Sequence, residues 1–246
     1  MANPRHAKIA AVTTQASAIA ANLERVRERI ARAAARTGRH PEEITLVAVS
    51  KTFPADAVRA AHEAGLRHFG ENRVQEFESK QAALADLDAT WHFIGRLQSN
   101  KARRAAHLFN RIDSVDSLSL AQKLDSAAAA EQKRLPVLIE VHLGGEATKG
   151  GAAEADLPAL AKGVTALPHL ELLGLMAIPP YSDDPGQVRP YFRKLRELRD
   201  TLSSRLEWPL PVISMGMSHD FEVAIEEGAT EIRIGTALFG ERPTKG

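Results

Sequence analysis

Eight short apolar runs alternate with stretches of helical periodicity, and this alternation limits the fold more than any other feature of the chain. The runs are 44–49, 67–70, 91–95, 111–115, 136–143, 170–176, 212–215 and 231–234. The first is β-branched at several positions, as a strand buried on both faces should be. The run at 136–143 is the longest expected strand. Helical patterns fill 55–64, 74–87, 101–109, 118–132, 154–167, 188–206 and 221–227, and a short last helix starts near 237. Strict alternation calls for parallel strands joined by right-handed crossovers. Eight such units in about 200 residues predict an α/β fold of the (β/α)8 TIM barrel type. An open doubly wound sheet is the alternative, but no Gly-rich turn follows the first strand.

One amphipathic helix precedes the barrel, over about 13–38. Ile19, Leu23, Val26, Ile30 and Ala34 share a face, and Gly38 with Pro41 ends it. We expect it to pack on the outside of the barrel. The whole chain, 1–246, is expected to be one domain, with the barrel from about 44 to 242. Aromatic residues are only 5% of the chain, so the core must be built from Ala, Leu, Val and Ile. There is no cysteine, which excludes disulfides, thiolate metal sites and a cysteine nucleophile. Lys+Arg total 32 against 31 Asp+Glu. This lacks the basic excess of nucleic-acid or membrane-surface binders. No apolar stretch reaches the length of a bilayer span, and the start lacks the apolar core of a signal peptide. The expected location is the cytoplasm.

In such a barrel the chemistry sits where strands run into the following helices. Lys51 ends the first strand. An amine against an apolar wall holds its proton less tightly, and a neutral amine attacks carbonyls. The alternative is a lysine whose ammonium reaches back to water. The loops after strands seven and eight carry Ser214, Gly216, Ser218, Gly235 and Thr236. They suit a phosphate, or are ordinary turns with Ser and Thr as helix caps. Arg233 should face the barrel interior, where it needs an acceptor. Glu71 or Glu222 would be a structural partner; a ligand atom is the other option. One ligand satisfies all three features: pyridoxal 5′-phosphate, with its phosphate, aldehyde and pyridine nitrogen. The nine histidines show no metal-ligand spacing; His92 lies within a strand, His219 in the loop after strand seven, and most others read as solvated surface. The Arg103–Arg104 and Arg193–Arg199 runs read as exposed helix faces.

Six motifs add a resemblance to these readings. Leu46-Val47-Ala48-Val49-Ser50-Lys51-Thr52 and Gly70-Glu71-Asn72-Arg73-Val74-Gln75-Glu76 are two of them. Trp91 to Lys101, Gly174 to Pro179, Ser214 to Ser218 and Arg233 to Gly240 are the others. In this order they resemble the pyridoxal phosphate homeostasis proteins, which are alanine-racemase-like and carry only the barrel. The resemblance implies that Lys51 forms the Schiff base and that Ser218, Gly235 and Thr236 hold the phosphate, with Ser214 assisting. It implies Arg233 at the pyridine nitrogen and Asn72 and Met176 beside the ring. His219 and His142 depart from the family's usual acidic residue and Asn.

Two functions remain open from the sequence. One is a holder that stores, buffers or delivers the cofactor, with transient contact to apo-enzymes. The other is an amino-acid racemase or a related enzyme. Alanine racemases carry a second domain that supplies an opposing tyrosine, and we expect none here, since the 246 residues are taken up by the barrel and its leading helix. Neither Tyr181 nor Tyr191 lies in a matched motif. Arginine donates to a pyridine nitrogen but does not give up its proton, which makes the ring a poorer electron sink. We therefore expect a non-enzymatic, monomeric holder without a metal.

Overall fold

A strand buried on both faces needs a helical layer on one side and a filled lumen on the other. The computed structural model describes residues 4–144 and 150–241; the expected barrel end at Arg242 lies outside them. Eight strands pair in chain order, all parallel: β1 (Thr45–Val49), β2 (His68–Glu71), β3 (Thr90–Phe93), β4 (Arg111–Val115), β5 (Leu135–Glu140), β6 (Leu170–Met176), β7 (Val212–Ser214) and β8 (Glu231–Ile234). β8 returns to β1, with Thr45 opposite Glu231 and Val47 opposite Arg233. The sheet is thus a closed barrel, as the alternation predicts.

The helices are α1 (Pro4–Ala35), α2 (Ala55–Glu63), α3 (Val74–Gln81), α4 (Ala102–Leu108), α5 (Leu118–Ala130), α6 (Leu157–Thr165), α7 (Arg189–Leu206), α8 (Phe221–Glu226) and α9 (Thr236–Phe239). Two boundaries differ from expectation for a structural reason. The longest strand is β6, with seven residues, because the chain leaves the sheet after Glu140 and forms only a single bridge from Val141 to Ala152. The helix expected over 74–87 tightens after Gln81 into a 3₁₀ turn, Ala82–Leu84.

α1 begins earlier than expected and lies against α2, α8 and α9. Its stripe of Ile19, Leu23, Val26, Ile30 and Ala34 is buried. Asn22 donates to the Leu238 carbonyl at 2.8 Å. Arg29 pairs with Glu222 at 2.8 Å and sits 4.4 Å from the Phe221 ring centroid. α1 thereby covers the seam where the last strand meets the first. The arginines of α7 lie on a surface face, with Arg193 exposed and Arg196 and Arg199 half-buried, and several are paired. Arg189 pairs with Glu227 at 2.9 Å and Arg193 at 3.3 Å, while Arg196 donates to the Glu227 carbonyl at 3.0 Å.

Outward-facing strand residues, among them Ala48, Phe69, Phe93, Ile112, Ile213 and Ile232, form the core with the helices. The lumen is different: its lower part is charged. Arg111 donates to Asp113 Oδ1 at 2.6 Å and Oδ2 at 2.9 Å, and to Glu231 Oε1 at 2.6 Å. His92 Nδ1 lies 3.4 Å from Asp113 Oδ2, and its Nε2 lies 3.0 Å from His68 Nδ1. The expectation of a solvated surface histidine fails for His68, because parallel register carries it into the lumen with His92, which lies within a strand as expected. His92, Asp113 and Glu231 place ligand-type atoms within 4.8 Å of one another, but Arg111 already stands between the carboxylates as their counter-cation. Burial alone would raise the Asp113 carboxyl; the Arg111 charge and then His92 overcome this and hold it well below the usual carboxylate range.

Arg111→Met leaves two buried carboxylates without their cation, and we expect a loss of about 3–5 kcal/mol in urea unfolding. A pH effect follows from His68. Burial, and next the neighbouring His92, lower its pKa in the fold. The unfolded chain therefore takes up the proton first, at about pH 6.5. Stability contributed by neutral His68 is full above that pH and is lost as pH falls through the folded value. His68→Asn should flatten this part of the stability–pH curve; an unchanged slope would count against the assignment.

Candidate cofactor-binding site

The closing of β8 on β1 brings together residues far apart in sequence. Lys51 lies two residues past β1 and is half-buried. Val49 pairs with Gly70, so Asn72 lies beside Lys51 on the β2 side. On the other side a Cβ built on Gly235 would meet Val49 Cβ at 3.5 Å. Asn72 is held close by its neighbour strand. A Cβ on Gly95 would come within 2.5 Å of the Asn72 carbonyl oxygen, so only glycine allows the two loops to approach this way.

Ser218 forms the centre of a donor cradle. Its Oγ accepts the N–H of Gly235 at 3.3 Å and that of Ala237 at 3.2 Å. Thr236 opens α9 between them and is exposed. The β7 turn that presents Ser218 needs Gly216, at φ +90, whose Cβ would lie 2.6 Å from Ala224 Cβ. Asp220 closes the turn by accepting the Met217 N–H at 2.6 Å. Backbone N–H groups and a hydroxyl converging on one point are what an anion requires.

Arg233 lies inside the barrel below this rim and is buried. It donates to Ser214 Oγ at 2.7 Å and to the Ala177 carbonyl at 2.9 Å. Both structural partners expected from the sequence are therefore wrong. Glu71 faces the helical layer, where its Oε1 accepts from Ser50 Oγ at 2.5 Å and from Lys80 Nζ at 2.7 Å. Glu222 pairs with Arg29 on the outer surface. Ser214 and Met176 face each other across the β6–β7 register and are both buried. Burial lowers the Arg233 guanidinium from its ordinary value, while Glu231, Asp113, Glu140 and Asp220 oppose this. Arginine starts so far above neutrality that it stays a cation.

Sequence reasoning missed Glu140 and Asp220, two of the four carboxylates that act on Arg233. Burial raises the Glu140 carboxyl, with Arg233 opposing. Glu140 ends β5 on the lumen side, and its period-two position was the available signal. His219 is exposed, with Nε2 3.1 Å from the Asp183 carbonyl oxygen and its ring 5.7 Å from that of Tyr181. It ties the β7 turn to the loop after β6. His142 is half-buried, and its N–H donates to the Ala152 carbonyl at 2.9 Å.

An amine and a donor cradle thus share one rim, with a buried guanidinium below them. Among the described residues no helix is long and apolar enough to cross a membrane. The model of the family described as alanine racemase, N-terminal domain, matches residues 16–243. The pyridoxal phosphate homeostasis protein of Aquifex aeolicus (strain VF5) is 52% identical over 220 residues, covering 89% of this chain and 96% of that protein. The structure of PipY of Synechococcus elongatus PCC7942, solved with PLP bound, matches with a TM-score of 0.78 at 42% identity, over 87% of this chain and 100% of the other. Alanine racemase from Corynebacterium glutamicum is similar in fold alone, with a TM-score of 0.70 at 18% identity over 63% of its length. The chain therefore belongs to the alanine racemase N-terminal domain family and, within it, to the pyridoxal phosphate homeostasis proteins.

Proposed function

We propose that this protein binds pyridoxal 5′-phosphate on Lys51 and acts as a holder of it, storing, buffering or delivering it in the cytoplasm. The observation that carries the reading is that Lys51 and the Ser218–Gly235–Ala237 cradle stand on one barrel rim with Arg233 buried below it. The donor set fits the group at each end. When bound, the cofactor supplies an aldehyde whose carbon joins an amine nitrogen as C=N with loss of one water.

Each residue then has a part that follows from its chemistry. Lys51 provides the amine. Ser218, Gly235 and Thr236 bind the phosphate through hydroxyls and backbone N–H groups. Arg233 would donate an N–H hydrogen bond to the pyridine nitrogen and keep its proton. Ser214 and the Ala177 carbonyl orient Arg233 from behind. Asn72 and Met176 flank the ring, one polar and one apolar. The PipY structure with PLP bound, at 42% identity, supports the same use of the fold here.

We further propose that catalysis is weak or absent, that the chain acts as a monomer and that recipient apo-enzymes meet it only transiently. A guanidinium donor does not protonate the ring, so carbanion formation gains little from it. Racemisation also needs a second acid–base group on the opposite face. Tyr181 is 77% exposed and donates to Asp183 Oδ1 at 3.0 Å. Tyr191 packs against the core on α7.

The purified protein should carry a visible absorption band that Lys51→Ala abolishes. Borohydride reduction followed by peptide mass analysis should place the modification on Lys51, and a different modified lysine would overturn the assignment. Ser218→Ala should weaken both pyridoxal phosphate and inorganic phosphate by about tenfold or more, the scale of a lost bond to a charged group. Single-enantiomer amino acids in heavy water should exchange their Cα proton no faster than with free cofactor. Rapid exchange would favour the racemase reading.

A further inference from the structure

Behind the rim amine the barrel wall carries a second lysine. Lys80, on α3, is only 8% exposed. Its Nζ lies 2.7 Å from Glu71 Oε1, 3.0 Å from the Ser50 carbonyl oxygen and 3.2 Å from that of Phe53. Ser50 and Phe53 bracket Lys51 and Thr52. One ammonium group therefore ties both ends of the Lys51 turn together and to β2.

The turn needs such a tie. Thr52 sits at φ +70, a left-handed conformation that a β-branched residue rarely adopts. Strain of this kind persists only where the surroundings over-determine it. The Thr52 N–H donates to Glu76 Oε1 at 2.5 Å, and the same oxygen is 3.6 Å from Lys80 Nζ. Ser50 Oγ adds its bond to Glu71 at 2.5 Å. Burial pushes the Glu71 carboxyl up, with Lys80 and then Ser50 opposing. Stability alone does not call for this arrangement, since apolar residues of similar volume usually replace a buried ion pair without loss. What an apolar residue does not supply is a donor for two backbone carbonyls.

We propose that Lys80 is a positioning residue that fastens the Ser50–Phe53 turn and so presents the Lys51 amine to the aldehyde. The inference rests on the reading of Lys51 given above. It predicts a selective defect. The bonds of the phosphate cradle and of Arg233 run among the loops after β6, β7 and β8, and Lys80 takes part in none of them. Loss of Lys80 should therefore raise the ordering cost of bonding to Lys51 and leave the grip on phosphate and ring unchanged.

The test compares two ligands on the full chain. Pyridoxal 5′-phosphate can bond to Lys51; pyridoxine 5′-phosphate has an alcohol in place of the aldehyde and cannot. Lys80→Met should weaken the first by about tenfold, or about 1.4 kcal/mol, and leave the second unchanged. Lys80→Met combined with Glu71→Gln removes both buried charges and should show the same selectivity, which keeps the test available if the single variant folds poorly. Equal weakening of both ligands, or no weakening of either, would overturn the positioning role. Lys51→Ala run in parallel separates the two claims. If it keeps the preference for the aldehyde, the underlying reading fails, and this inference with it. If it loses the preference while the Lys80 variants keep it, only the inference fails.

Discussion

The ladder between β8 and β1 is the constraint on which the rest of the structure depends. Without it the sheet would have two edges, and the rim would not exist. Val47 opposite Arg233 and Ala48 opposite Ile234 fix the register of the closing pair. That register sets Lys51 beside Gly235 and puts the guanidinium of Arg233 under the rim rather than in the helical layer. A shift of one residue would turn Arg233 outward and Ile234 inward. α1 reinforces the same place by lying over α2, α8 and α9. The extra helix is thus tied to the site through the seam, although it contributes none of the proposed binding residues.

The parts of this molecule that could be read from sequence are those encoded by local periodicity. The runs of β1, β6 and β8 stand out because they are apolar and bounded by turn residues. The stripe on α1 stands out at spacings of three and four. Lys51 was readable as a strand-ending amine, and Arg233 as a lumen residue two positions before Gly235. Its partners were not, since the acceptors are a hydroxyl on β7 and a backbone carbonyl after β6. A carbonyl has no signature in the sequence. The charged lumen was missed for a related reason. His68, His92, Asp113 and Glu231 have no common spacing, and only the register of separate ladders brings them together. A signal was nevertheless there. Arg111-x-Asp113 and Glu231-x-Arg233 are charged pairs at period two inside apolar strands, and that pattern places both members on the lumen face.

Two charge systems with different surroundings result. The lumen system joins Arg111, Asp113 and Glu231 by direct bonds, and the same carboxylates support Arg233 from below through their field. It fixes a cation, with its proton, at the bottom of the proposed site. The wall system joins Lys80, Glu71 and Ser50 outside the barrel, behind Lys51. It fixes backbone. The two share no residue and lie on opposite sides of the strands, so a change in one need not disturb the other.

This separation bears on what the site can do. A racemase must move protons at the substrate carbon and so needs groups that give and take them near neutral pH. Burial lowers the Arg233 guanidinium and four carboxylates oppose this, but an arginine starts so far above neutrality that it keeps its proton, which makes it a poor proton donor and a firm orienting group. The wall system stiffens the main chain that carries the amine without adding an acid or base to the rim. On the proposed reading both systems favour a fixed pose for the ring and a defined position for one amine. Neither favours proton traffic across the ring. A site built in this way suits reversible capture and release of an aldehyde, and the chemical restraint lies in residues that the ligand itself need not touch.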